Sequence, residues 1–107
     1  MISLPFPPPK LSPNARCHWA TKARAFKAYK MQCYMLLSQY RPERWGRDSF
    51  ALRFCPPDRH RRDIDNMLAA SKGAIDALSE VCGVDDSKFS FTIAKGEPVK
   101  GGAVVIQ

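Results

Sequence analysis

Arg59-His60-Arg61-Arg62-Asp63-Ile64-Asp65-Asn66 is the stretch from which the rest of the chain can be read. A cationic cluster runs straight into two carboxylates spaced i, i+2, and a long helical pattern follows. If Asp63 and Ile64 are extended, Asp63 and Asp65 project to the same side, because side chains alternate along a strand. Two carboxylates on one side make a hard, oxygen-rich site suited to Mg²⁺, with Mn²⁺ as a substitute of similar ligand preference. The arginines beside them offer the multidentate donors that a phosphodiester backbone accepts. The pattern therefore suggests metal-dependent hydrolysis of nucleic acid. The plain alternative is a solvated turn of mutually paired charges, in which Asp65 only caps a helix.

Working outward, Phe50-Ala51-Leu52-Arg53-Phe54-Cys55 reads as a strand ended by Pro56-Pro57. On the other side, a helix is expected to start near Asp65 or Asn66 and run to Gly83. It would turn Met67, Leu68, Ala70, Ala74, Ile75, Ala77, Leu78 and Val81 inward. Gly83 to Asp86 is a turn, Phe89–Ala94 alternates cleanly as a third strand, and Gly96 to Gly102 turns the chain into a last strand, Ala103–Ile106. Towards the N-terminus, Ile2–Phe6 is a short strand with Pro5 at its end, and Pro7-Pro8-Pro9 stops it. Residues 10–18 form a loop. A long helix is predicted from Trp19 to about Tyr40, with Trp19, Ala23, Phe26, Tyr29, Cys33, Leu36, Leu37 and Tyr40 as one apolar stripe facing the core. It loses its pattern at Arg41-Pro42. The order β-α-β-α-β-β implies an α/β (α+β) fold, a single domain over residues 1–107 with two helices packed on one small mixed sheet.

The charge is distributed unevenly. Residues 1–50 hold 9 Lys/Arg against only Glu43 and Asp48, whereas residues 51–107 hold 8 of each sign, so the net +7 sits in the first half. A basic field with localised carboxylates is the electrostatic footprint of an enzyme acting on nucleic acid. The four cysteines (Cys17, Cys33, Cys55, Cys82) are far apart, with no CxxC and no His at zinc spacing. They read as reduced thiols of a cytoplasmic protein. No apolar run approaches the ~20 residues of a membrane span, and the Pro-rich start has no basic signal-peptide region.

The remaining candidates are tied to the central stretch. Asp85 and Asp86 follow the second helix, which would span about 25–28 Å at ~1.5 Å per residue. Asp86 can therefore join Asp63 only if the strand after it folds back beside strand 50–55. A carboxylate from a second subunit is the other route. Lys72 lies seven residues after Asp65, on nearly the same helical face, and could lean back towards the site to stabilise charge or protonate a leaving oxygen. It could equally pair with Asp76 at i+4. His60 is either a general base or one more member of the basic loop. Arg16, Lys22 and Lys27 are candidate phosphate contacts on the loop and first helix, alongside Arg59, His60, Arg61 and Arg62.

With these residues set out, the sequence resembles the RusA family of Holliday-junction resolvases, in its phage-type branch. The similarity is carried by Leu4-Pro5-Phe6-Pro7-Pro8, by Ser12-Pro13-Asn14-Ala15-Arg16 with His18-Trp19, and above all by Pro57-Asp58-Arg59-His60-Arg61-Arg62-Asp63-Ile64-Asp65-Asn66. It continues through Lys72, Asp76-Ala77-Leu78, Gly83, Asp85-Asp86 and Lys100-Gly101-Gly102. The resemblance implies a homodimer that binds branched DNA, the four-way junction, and makes paired symmetric nicks with Mg²⁺. It implies Asp63, Asp65 and Asp86 as metal ligands, Asp85 being an alternative third, and Arg62 and Lys72 as basic residues of catalysis. Lys72 sits about a helical turn further from the DxD than in the best-known members. Two other readings stay open: a non-catalytic DNA-binding module, and a different Mg²⁺-dependent nuclease.

Overall fold

The computed structural model describes residues 1–40 and 48–107. The element order is β1 (Ile2–Leu4), α1 (Trp19–Leu37), β2 (Ser49–Cys55), α2 (Ile64–Ala70), α3 (Lys72–Cys82), β3 (Ser90–Lys95) and β4 (Ala103–Ile106). Two 3₁₀ turns, Pro9–Leu11 and Asp86–Lys88, interrupt the loops. The α+β class and the single small mixed sheet are as expected. The first helix ends at Leu37, a few residues short of the expected Tyr40, and Arg41-Pro42 lies outside the described residues.

The four strands lie in the order β1-β4-β2-β3. Chain order does not reveal this, because β4 inserts between β1 and β2 and runs antiparallel to both. β2 and β3 are parallel, Ser49 pairing with Ser90 and Phe54 with Lys95. Parallel neighbours need a crossover, and the helical segment between them supplies it. The core faces the helices: Leu4, Phe54, Val104, Leu37, Cys33, Ala77 and Leu78 are sealed from solvent. Burial pushes the Cys33 thiol up to about 11, as expected of an inert packing residue.

Two expectations are corrected. The second helix is two helices, broken at Ser71. Its hydroxyl donates to the Met67 carbonyl at 2.9 Å, and its N–H is shared between the Met67 and Leu68 carbonyls. Such back-bonding competes with the regular ladder and bends a helix. The break lets Gly73 slide against α1, where a Cβ would meet the Tyr29 ring at 3.1 Å. The expected third strand is present as β3 beside β2, and it is exposed almost throughout. It is the outer strand beyond β2, and of its residues only Phe91 packs against the core. The other correction concerns the expected stripe of the first helix: it is buried at Tyr29, Cys33 and Leu37, but Trp19 at its start is 75% exposed and Tyr40, beyond the end of α1, is 36% exposed.

Candidate functional site

The Arg59–Asp65 stretch leaves the Cys55 end of β2, through the buried Pro56, and enters α2. Asp58 organises it. One carboxylate oxygen accepts the His60 backbone N–H at 3.0 Å, closing a tight turn, and both oxygens accept the guanidinium of Arg62 at 2.5 and 3.3 Å. The Arg62 bonds first, and the His60 N–H next, hold the Asp58 carboxyl down at about 2. Arg62 is held further, its guanidinium 6.0 Å over the Phe6 ring and its backbone oxygen accepting from Lys95 at 3.1 Å. Phe6 in turn is held by Gly102. That residue adopts φ +74, and a Cβ there would lie 2.7 Å from the Phe6 Cβ. Only glycine suits both demands.

Arg62 is thus a clamp that orders the loop, rather than a free cation. Arg59 and Arg61 are exposed and make no hydrogen bond or ion pair with the described residues. His60 has an 85% exposed side chain, with Nδ1 3.5 Å from Asp58. No base-like partnership is built around it.

Asp63 is the residue preceding the first turn of α2, with φ −84 and ψ 139, yet its side chain makes no capping hydrogen bond. Ile64 is already helical, so the alternation that would have aligned Asp63 with Asp65 does not operate; the helix begins one or two residues earlier than expected. Asp65 stands in that first turn. Both carboxylates are exposed and without partners among the described residues. The amino end of the helix, with its unsatisfied N–H groups, is a favourable place for negative charge.

Asp63 forms part of the wall of a cleft of about 480 Å³, together with Arg61, Asn66 and Met67. The opposite wall is the N-terminal segment, Phe6 to Pro9 with Ser12 and Asn14. That loop had no legible pattern beyond its prolines. Asn14, Asn66 and Phe6 were not singled out as site residues, although all three lie in the stretches that carry the family resemblance.

Asp86 is placed differently. β3 starts at the Ser49 end of β2, not at the Cys55 end from which the Arg59–Asp65 stretch departs. Asp86 lies in the turn before β3, and its carboxylate accepts from the Lys72 ammonium at 3.2 Å. Lys72 also donates to Asp76 at 2.6 Å. Asp76 first, and Asp86 next, hold the Lys72 ammonium above its ordinary pKa against a modest desolvation. Asp85 caps the turn by accepting the Ser87 N–H at 3.0 Å, which holds its carboxyl down. Among the described residues no three His, Cys, Asp or Glu side chains stand together as a metal cage. Among the described residues Asp63, Asp65 and Asp86 are therefore not assembled into a trio: Asp86 lies at the other end of β2, where Lys72 holds it.

On the basic half, Arg16 and Lys27 are exposed, and Lys22 donates to the Ser12 carbonyl at 3.2 Å. No helix among the described residues is long and apolar enough to cross a membrane.

A protein of Xylella fastidiosa (strain Temecula1 / ATCC 700964) described as "Uncharacterized protein" is 34% identical over 114 residues, spanning 98% of this chain and 72% of its own length. The chain belongs to that protein's family. No protein-family model matches it. The relative's description carries no activity, so the chemistry rests on the side chains.

Proposed function

We propose that the chain is a Mg²⁺-dependent, structure-selective endodeoxyribonuclease of the RusA type, acting on four-way DNA junctions as a homodimer in the cytoplasm. The observation that carries this reading is the pair of exposed carboxylates, Asp63 and Asp65, and the two arginines before them, Arg59 and Arg61, all four without partners among the described residues. A merely structural charge cluster would pair its own members; among the described residues of this stretch Asp58, Arg62 and His60 do so. The resemblance in sequence around these residues is the second support.

As donors, Asp63 and Asp65 fit a hard divalent cation such as Mg²⁺ or Mn²⁺: they are oxygen ligands, solvent-accessible and unused by the fold. The bound ion supplies Lewis-acid neutralisation of charge on a scissile phosphate. The chain's own residues do the rest. Arg59 and Arg61 grip the backbone, Arg62 keeps their loop in shape through Asp58, and the basic first half adds salt-sensitive, largely sequence-independent affinity. Asp86 would serve as a third ligand only if Lys72 released it and the turn before β3 also moved towards α2, and the freed ammonium would then be available to developing negative charge. Two sites related by a two-fold axis would suit the paired nicks of a symmetric junction.

One observation favours a second reading. Because Lys72 engages Asp86, the two-acid site can also belong to a DNA-binding module without catalysis. Cleavage of a labelled mobile four-way junction with Mg²⁺, wild type against Asp65→Asn, separates them. Paired nicks lost in the variant, with binding retained, are expected. Tight binding without cleavage by either protein selects the module. Preferential cutting of RNA or of linear duplex overturns the junction assignment.

A further inference from the structure

The least expected side chain in the molecule is Trp19. It opens the apolar stripe of α1, where periodicity points inward, yet it is 75% exposed. It is also held in place. The His18 imidazole accepts the Ala20 N–H at 3.2 Å, capping the helix, and stands beside the indole with ring centroids 5.6 Å apart and planes 31° apart. Trp19 is part of the edge of an open groove of about 450 Å³ between α1 and α2, whose floor includes Leu11, Ala23, Phe26 and Ala70. The polar residues in its lining are Lys22 and Lys27, and among the described residues no acidic side chain contributes. No Asp or Glu precedes Glu43 in the chain at all.

We propose that Trp19 is a stacking platform for an unstacked nucleobase of a nucleic-acid strand, with Lys22 and Lys27 receiving the flanking phosphates. The inference rests on the nucleic-acid reading above and adds a subsite remote from the carboxylates. The groove has the two components of a single-strand site: an aromatic face that accepts any base, and a cationic rim that follows the backbone. Its open, shallow shape suits a flat ring. A large exposed indole braced by a capping residue loses little conformational freedom on binding. The rim's charge selects an anionic partner, and the groove's apolar floor selects one that carries a flat, poorly hydrated surface between its charges. A base on its sugar-phosphate strand satisfies both. Lys27 lies about 12 Å further along α1 than Trp19, so the phosphates it would meet are not those directly attached to the stacked base.

The test is tryptophan emission titrated with short oligothymidylate, oligouridylate, a blunt duplex hairpin and oligoglutamate, comparing wild type with Trp19→Phe and Trp19→Ala. Quenching of the wild type by both single strands is expected, with little from the hairpin or the peptide, and the quench should be absent in Trp19→Phe. Trp19→Ala should weaken single-strand binding by roughly 5- to 150-fold, the scale of one stacked base. The salt dependence and thermal midpoint should not change. Trp19→Phe should retain most of the affinity, and Lys27→Gln should reduce the salt slope by about one. DNA and RNA arms distinguish the two kinds of strand. Equal quenching by hairpin and single strand, a quench by oligoglutamate that matches the strands, or an unchanged affinity in Trp19→Ala overturns the platform. If junction nicking that depends on Asp65 persists in that case, the platform alone falls. If no single strand binds, the platform falls; the nuclease reading falls with it only if the four-way junction is neither bound nor nicked.

Discussion

The acids flanking the broken helix have opposite fates. Asp63 and Asp65, at the amino end of α2, have no partner among the described residues, although Arg59, Arg61 and Arg62 precede them within six positions. Asp76 and Asp86, which have far fewer cations near them in sequence, share the ammonium of Lys72. Local charge density therefore runs opposite to pairing. The reason is prior engagement. Arg62 is taken by Asp58 and braced on Phe6, and the other two arginines extend into solvent. Lys72 is the first residue of α3 and meets one acid a turn along its own helix and another brought alongside by the chain reversal at Gly83, whose φ of 68 ends the helix. Availability is what distinguishes a carboxylate that can bind a cation from one that already has.

This contrast can be broken at several points. The largest effect is expected at the unpaired acids: Asp65→Asn should lower junction cleavage by on the order of 10²–10³, the scale of losing one group that supports transition-state charge. Its thermal midpoint should stay near that of the parent, since an exposed, unpartnered side chain carries little stability. A large fall in the midpoint would instead make Asp65 structural.

Gly102→Ala is next. A side chain at φ +74, pressed into Phe6, should cost about 1–3 kcal/mol in urea unfolding and should loosen Arg62 from its brace. A cost near zero would show that Phe6 is not held from this side. Lys72→Met then tests the paired acids. These groups are substantially exposed, so the loss should be only about 0.2–1 kcal/mol. Released from Lys72, Asp86 should make divalent binding by the chain tighter, as seen by calorimetry with Mn²⁺. Weaker binding would mean that Lys72 serves the cation site rather than withholding an acid from it.

The smallest effect concerns Asp58. Its folded-state carboxyl lies at about 2, below the ordinary 3.8. A depressed carboxyl contributes stability that is present above its unfolded value and lost as pH falls through the folded one. The Arg62 clamp should therefore persist at pH 4 and release near pH 2, read from the carboxyl ¹³C shift of Asp58. A midpoint near 4 would remove the clamp from the account of why Asp63 is left free.

Much of this molecule was legible locally. The strand 50–55, the Gly83 stop and the last strand follow from short-range rules of side-chain alternation and glycine conformation, and they lie within a residue of expectation. The DxD and its arginines were found because a motif of adjacent residues needs no long-range information. What failed was whatever depended on packing. Trp19 fits a helical stripe, but a stripe records only direction about the helix axis, and among the described residues Trp19 at the first turn of α1 stays 75% exposed. Phe89–Ala94 alternates well, yet alternation cannot tell a central strand from an outer one.

By itself, then, the amino-acid order determined the helices, the strands, the basic first half and the candidate acids, because each depends on neighbours a few positions apart. The tertiary structure alone decided that β4 would enter between β1 and β2, that Phe6 and Gly102 would brace Arg62, and that Lys72 would hold Asp86. These are meetings between residues 14 to 104 positions apart in the chain, and they are settled by which surfaces can be buried together rather than by any spacing in the sequence.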